Sequence, residues 1–234
     1  MFVKSTFIVL ATLLGSLSAT NTAIDPIVLK PANSTSGPDI SVVWIQGALC
    51  KPEAYQKIAQ AFIDESASNN VSAWVSFPDF DLNTPEPIEM PNKLKQARSA
   101  LLNAGYNGTE NFIAAHSLGT VMVQDEIKKD PQDYKGLFLM GGSLLRKMHH
   151  NDNSTGLTNF DFPIPSMTLA GTKDGMYRIS RNAESHHHQV LNIVPSQKDM
   201  FPVALLKGVS HARFMDETMI PSLVRKDDLA PDVT

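Results

Sequence analysis

A serine set between small residues, where a strand gives way to a helix, constrains this chain more than any other feature. Ala115-His116-Ser117-Leu118-Gly119 follows the apolar run Phe112-Ile113-Ala114 and opens the helical-looking stretch Thr120-Val121-Met122-Val123-Gln124-Asp125-Glu126-Ile127. This is what a nucleophile elbow requires. The turn is so tight that the residues two before and two after the serine must carry little or no side chain, and it lifts the hydroxyl to the edge of a sheet. Ala115 stands where the usual G-x-S-x-G pattern has glycine, a departure of one methyl group. A serine that merely caps a helix after a strand is the competing reading.

Around this motif, apolar runs bounded by turn residues alternate with stretches of helical period, which implies crossover units and a mainly parallel sheet. The pattern predicts strands over 40–45, 73–77, 111–115, 137–140, 166–170 and 203–206. Helices are expected over 52–64, 92–103, 118–129 and 178–190. This order of elements resembles the α/β-hydrolase fold, and the resemblance runs from about Ile40 to His211. It implies a three-layer α/β sandwich with a mainly parallel central sheet, and a triad in the chain order Ser, then Asp or Glu, then His.

A serine hydroxyl stays protonated at neutral pH, so it needs a base to take its proton and a third group to orient that base. His211 follows the last expected strand in Gly208-Val209-Ser210-His211-Ala212-Arg213-Phe214, which resembles the family's histidine loop. Asp174, in Ala170-Gly171-Thr172-Lys173-Asp174-Gly175, resembles its acid loop; capping the helix that follows is the other reading of this residue. Asp152 and Asp161 are rival acids. The resemblance also implies an oxyanion hole built from the Leu118 N–H and an N–H of Gln46-Gly47-Ala48-Leu49, with Ala48 the expected donor and Leu49 the alternative. Each such donor is worth about 3 kcal/mol in a transition state. Gln46 takes the place of the family's common histidine, which a backbone donor tolerates. Cys50 beside this loop reads as a small packed residue.

The other histidines suggest less. His186-His187-His188 project about 100° apart on a helix and cannot converge on one ion. His149-His150 sit in a polar stretch, and Arg178 and Arg181 share a helix face with Glu184 as their expected partner. No metal or organic cofactor is implied. The resemblance places a cap over the site between Gly142 and Ser166, and this short region can hold only a minimal one, with Leu144, Leu145, Met148, Leu157 and Phe160 as its apolar side chains. That favours an open, shallow site over a deep lipid tunnel.

The N-terminus carries Lys4, an apolar stretch from Phe7 to Leu14 and a small-residue exit, the pattern of a secretory signal peptide over 1–19, with cleavage between Ser18 and Ala23. The rest, 24–234, is expected to be a single domain. The leader is too short for a comfortable membrane span. Sequons at Asn33, Asn70, Asn107 and Asn153 agree with export and mark expected glycosylation sites. Cys50 is the only cysteine, so no disulfide can form within the chain. The net charge is −4 with scattered Lys and Arg, which argues against nucleic-acid partners. After His211 the chain offers Pro221 and an acidic tail, Asp227 to Asp232, instead of a closing helix. Dimerisation, a swapped element or marginal stability is therefore expected.

Together these features describe a secreted glycoprotein that hydrolyses small-molecule or lipid-like carboxylic esters through an acyl-enzyme. A lipase, thioesterase or acyltransferase on the same triad, and a non-catalytic binding member of the fold, are the alternatives. Fold never fixes a substrate.

Overall fold

Parallel neighbours need long crossovers, and helices supply most of them here. The computed structural model describes residues 25–152, 157–160, 162–192 and 195–222. The expected leader, the sequon residue Asn153, the rival acid Asp161 and the tail from residue 223 onward lie outside these residues.

Chain order runs β1 (Ile27–Leu29), β2 (Asp39–Ile45), α1 (Gln56–Ser68), β3 (Ser72–Phe77), α2 (Met90–Ala104), β4 (Glu110–His116), α3 (Leu118–Met122), α4 (Gln124–Lys129) and β5 (Gly136–Met140). A hairpin of β6 (His149–Asp152) and β7 (Leu157–Phe160) follows, then β8 (Ser166–Gly171), α5 (Ile179–Asn192) and β9 (Val203–Leu206). The main sheet is seven-stranded, in the order β1-β3-β2-β4-β5-β8-β9. Its strands are parallel except β1, which runs antiparallel to β3.

Side chains that alternate along these strands feed two apolar layers. Val43, Ile45, Ile113, Ala115, Leu137 and Leu139 point to one face, which α2 covers with Met90, Leu94, Ala97 and Leu101 at helical spacing. Val42, Trp44, Val75, Phe77 and Ala114 point to the other, against Tyr55, Ala59 and Ile63 of the α1 region. The fold is thus an α/β sandwich with helices on both faces of a mainly parallel sheet, as the alternating pattern predicts. The serine of the central motif sits directly after β4, in mid-sheet.

Four details depart from expectation. The edge strand β1 has only three residues, too few to show a period. The helix expected over 118–129 is interrupted at Val123, where the Gln124 side-chain amide donates to the Thr120 carbonyl at 2.6 Å and competes for a helical acceptor. The helix expected to begin at Pro52 starts as a 3-10 turn, Pro52–Tyr55. Leu144 and Met148, expected to line a cap, are buried in the core beside Phe162 and Ile164, because the short excursion after β5 dips back into the sheet's lower layer.

Beyond β9, only the 3-10 turns His211–Phe214 and Glu217–Met219 form among the described residues. An apolar groove of about 460 Å³ is left on the α1 face, lined by residues that include Trp44, Phe62, Phe138, Leu169 and Leu206. Among the described residues no helix is long and apolar enough to cross a membrane.

Candidate active site

The backbone of Ser117 lies at φ 51°, ψ −120°, a conformation that an L-residue rarely adopts. Such a residue costs about 1–3 kcal/mol and persists only where its surroundings enforce it. Here the Ser117 N–H donates to the Met140 carbonyl at 2.9 Å. Its own carbonyl accepts from the Thr120 N–H at 3.0 Å and the Thr120 hydroxyl at 2.6 Å. Gly119 has to be glycine, because a Cβ there would lie 2.5 Å from the Gln46 carbonyl oxygen. Ala115 is fully buried in the α2-side core, which accommodates the extra methyl.

The other two candidates arrive from farther along the sheet, Asp174 after β8 and His211 after the edge strand β9. The His211 imidazole lies with Nε2 2.8 Å from Ser117 Oγ and Nδ1 2.8 Å from Asp174 Oδ2. Both His211 and Asp174 are 2% exposed, whereas Ser117 is half-buried and reachable. The helix-cap reading of Asp174 does not hold, since α5 begins only at Ile179, but the second carboxylate oxygen does close the turn before it. While Oδ2 faces the imidazole, Oδ1 accepts the N–H groups of Met176 at 3.0 Å and Tyr177 at 2.6 Å, closing a turn ahead of α5.

The acid and histidine loops are stitched together. Lys173 N–H donates to the Val209 carbonyl at 2.9 Å, Thr172 N–H to the Leu206 carbonyl at 3.1 Å, and Gly208 N–H to Thr172 Oγ1 at 2.9 Å. Gly141 presses against the pair from below at φ 57°, where a Cβ would stand 2.9 Å from the imidazole and 3.3 Å from Asp174 Oδ2. Sequence reading gave Gly141 no role beyond ending a strand.

The loop after β2 runs against the elbow, so that a Cβ on Gly47 would come within 3.1 Å of Ser117 Cβ. Among the described residues the N–H groups of Ala48 and Leu118 have no hydrogen-bond partner. Leu49, the alternative donor, gives its N–H to Thr84 Oγ1 at 3.1 Å and is engaged there. Cys50 is buried, its thiol donating to the Ala48 carbonyl at 3.2 Å, and burial pushes its pKa up.

His116, at an unrestricted position of the elbow motif, and Tyr55 have no role in the sequence reading, yet both are fully buried beside the site, their side chains in contact across 61 positions of sequence. A side-chain pair that distant leaves no local pattern to read.

The remaining candidates stay apart from Ser117. His186, His187 and His188 are exposed on α5, and no group of His, Cys, Asp or Glu fit to hold a metal ion exists among the described residues. Glu184 pairs with Arg146 across the surface, not with Arg178 or Arg181, because the turn Arg146–Met148 packs beside α5. Asn33, Asn70 and Asn107 are all exposed, each between elements.

No protein-family model matches the sequence, and comparison with curated proteins returns no match. Solved structures do match. Est1E from Butyrivibrio proteoclasticus, solved with ferulic acid bound, superposes with TM-score 0.53 at 13% identity, over 86% of this chain and 90% of its own. A CIB-like hydrolase from Thermoplasma acidophilum gives 0.52 at 15% identity, over 86% and 89%. Esterase PE8 gives 0.51 at 11% identity, over 80% and 90%. The chain has the α/β-hydrolase fold. At these identities the likeness concerns the fold alone, so any chemistry assigned to this chain has to come from its own side chains.

Proposed function

We propose that this chain is a serine-dependent hydrolase of carboxylic esters. The observation that carries the reading is the unbroken contact from Ser117 Oγ to His211 Nε2 to Asp174, 2.8 Å at each step, with the serine reachable and its two partners buried. In the reaction, Nδ1–H of His211 donates to Asp174 Oδ2, which leaves Nε2 to accept the Ser117 proton as Oγ attacks the ester carbonyl. The imidazolium then protonates the departing alkoxide, and an acyl-enzyme on Ser117 remains. Water repeats the sequence with His211 as base and releases the acid.

The unengaged N–H groups of Ala48 and Leu118 are assigned to the carbonyl oxygen as it gains charge. The small hairpin that follows β5 supports a shallow site and thus esters with modest acyl groups. Export and N-glycosylation belong to the same proposal, supported by the leader-like residues 1–19 and by exposed Asn33, Asn70 and Asn107.

Labelling by a fluorophosphonate probe tests the reading, beside Ser117→Ala and His211→Ala variants shown by circular dichroism to be folded. The parent is expected to label, Ser117→Ala not at all and His211→Ala weakly. A folded parent that neither labels nor hydrolyses p-nitrophenyl acetate removes the assignment.

A further inference from the structure

Four groups around the elbow form a hydrogen-bond chain whose direction follows from the chemistry of its ends. His116 Nε2 lies 3.1 Å from the His211 carbonyl oxygen, which can only accept, so this nitrogen carries a proton. Burial, then the neighbouring His211, hold the His116 pKa well below its ordinary value, so the ring is neutral and Nδ1 is an acceptor. The Tyr55 hydroxyl, 2.8 Å from Nδ1, is therefore the donor there. Its oxygen in turn accepts the Gly47 N–H at 2.9 Å. Burial raises the Tyr55 pKa well above the ordinary phenol value, which keeps that proton in place. The run from Gly47 N–H through Tyr55 O–H to His116, and from His116 Nε2–H to the His211 carbonyl, has every partner satisfied.

This chain joins the loop that offers Ala48 to the loop that offers His211, and it passes directly beneath Ser117. Packing reinforces it. The His116 ring lies 4.8 Å from that of His211, 5.7 Å from Phe214 and 5.6 Å from Tyr55, centroid to centroid. Space at Gly47 is tight, since a Cβ there would stand 3.1 Å from His116 Nδ1 and 3.4 Å from the Tyr55 hydroxyl.

We propose that His116 and Tyr55 are positioning residues which act as one unit, fixing the oxyanion loop and the His211 backbone relative to each other on either side of Ser117. The proposal rests on the hydrolase reading for its kinetic consequences and on the bridge geometry alone for its structural ones. Neither residue touches substrate. A loop displaced by a fraction of an ångström costs rate without costing binding, since near-attack geometry is what is lost.

The two ends of the bridge can be cut separately. His116→Asn keeps an amide near the Nδ1 position, facing Tyr55, and loses the donor to the His211 carbonyl. His116→Gln places its amide near the Nε2 position and keeps that donor, and Tyr55→Phe removes the hydroxyl. With p-nitrophenyl butyrate, Tyr55→Phe and His116→Asn are each expected to lower kcat by about tenfold or more with KM unchanged. Their combination should be no worse than the poorer single variant, and His116→Gln, which keeps the donor to the His211 carbonyl but gives up the contact with Tyr55, should lose about as much as Tyr55→Phe. Proton NMR provides a readout that needs no turnover. The downfield Nδ1 proton of His211 should shift or broaden in His116→Asn and return towards its parent position in His116→Gln. Losses that multiply in the double variant, or an unmoved His211 resonance in folded His116→Asn, overturn the proposal. A parent that shows the resonance but hydrolyses nothing sinks the hydrolase reading instead, and the NMR series still decides the bridge.

Discussion

Ser117 and the His211–Asp174 pair meet at 2.8 Å but are held in place by different means. The serine is fixed by its own backbone. It sits at positive φ, with its N–H and carbonyl both bonded and a forced glycine two residues on. The histidine and aspartate sit on unstrained loops that hold each other, through Lys173 to Val209, Thr172 to Leu206 and Gly208 to Thr172. A strained turn is a local device that tolerates no change in its own few residues. Stitched loops share the task, so individual bonds can be lost and the failures are graded.

Asp174 gives the largest effect expected on the stitched side, and its two oxygens can be separated. Asp174→Asn should lower kcat by about 10³- to 10⁴-fold, because an amide cannot hold the imidazole in the same tautomer. It should leave thermal stability nearly intact, since the oxygen facing Met176 and Tyr177 remains. Asp174→Ala should match that loss of rate and also lose about 1 kcal/mol as the two turn contacts disappear. Equal melting temperatures for the two variants would show that the turn contacts do not contribute.

The two glycines compare the sides directly. Gly119→Ala drives a methyl into the Gln46 and Ile45 backbone, with nowhere to go, and is expected to destabilise the fold by about 1–3 kcal/mol. Gly141→Ala meets the His211 ring and a positive φ. Because a ring can swing, its cost should show more in kcat than in melting temperature. A larger stability loss at Gly141 than at Gly119, read by urea denaturation, would reverse the comparison drawn here.

Acid sensitivity of the fold comes next in size. The folded pKa of His116 lies well below the ordinary 6.5, through burial and then His211, so below about that pH the unfolded chain binds a proton that the folded chain does not. Stability should be full above 6.5 and fall as the pH drops through it, and His116→Gln should flatten that slope. Urea midpoints measured between pH 7 and pH 5 would show it, and identical slopes in parent and variant would remove His116 as the cause.

The smallest effect belongs to the far end of the histidine loop. There the Lys57 ammonium, bonded to Asp216, and the Thr218 N–H and hydroxyl hold the Asp216 pKa down at about 2, from 3.8. Its contribution is present above 3.8 and lost as pH falls through about 2. The Lys57 end of the pair is largely exposed to solvent, so Lys57→Ala should leave kcat unchanged and hardly move the melting temperature at neutral pH. A clear loss of rate would mean that this end of the loop also positions His211.

The strained side was the more legible in sequence, for the same reason that it is less tolerant. A turn that admits only small residues writes itself into consecutive positions, 115 to 119, and the strands around it into apolar runs. Asp174 and His211 were legible through their loops and chain order, although no local pattern showed that the second oxygen of Asp174 closes a turn at Met176 and Tyr177 instead of capping the helix. Tyr55, His116 and Gly141 act through space alone. A tyrosine on a short turn, a histidine within a motif and a glycine after a strand carry no local pattern. The break at Val123 was hidden because Gln124 is a good helix former until its side chain finds the Thr120 carbonyl.

Ser117 and His211 stand 94 positions apart, and the strand that leads to His211, β9, is the last of the sheet and sits at its edge. Loop-closure entropy is charged before such a contact forms, so it belongs to the late part of folding. During refolding from urea, helical signal should return before the serine becomes reactive. A chain released with β1 to β8 in place but β9 undocked would carry a complete elbow and no base, a nearly whole sheet that is chemically silent.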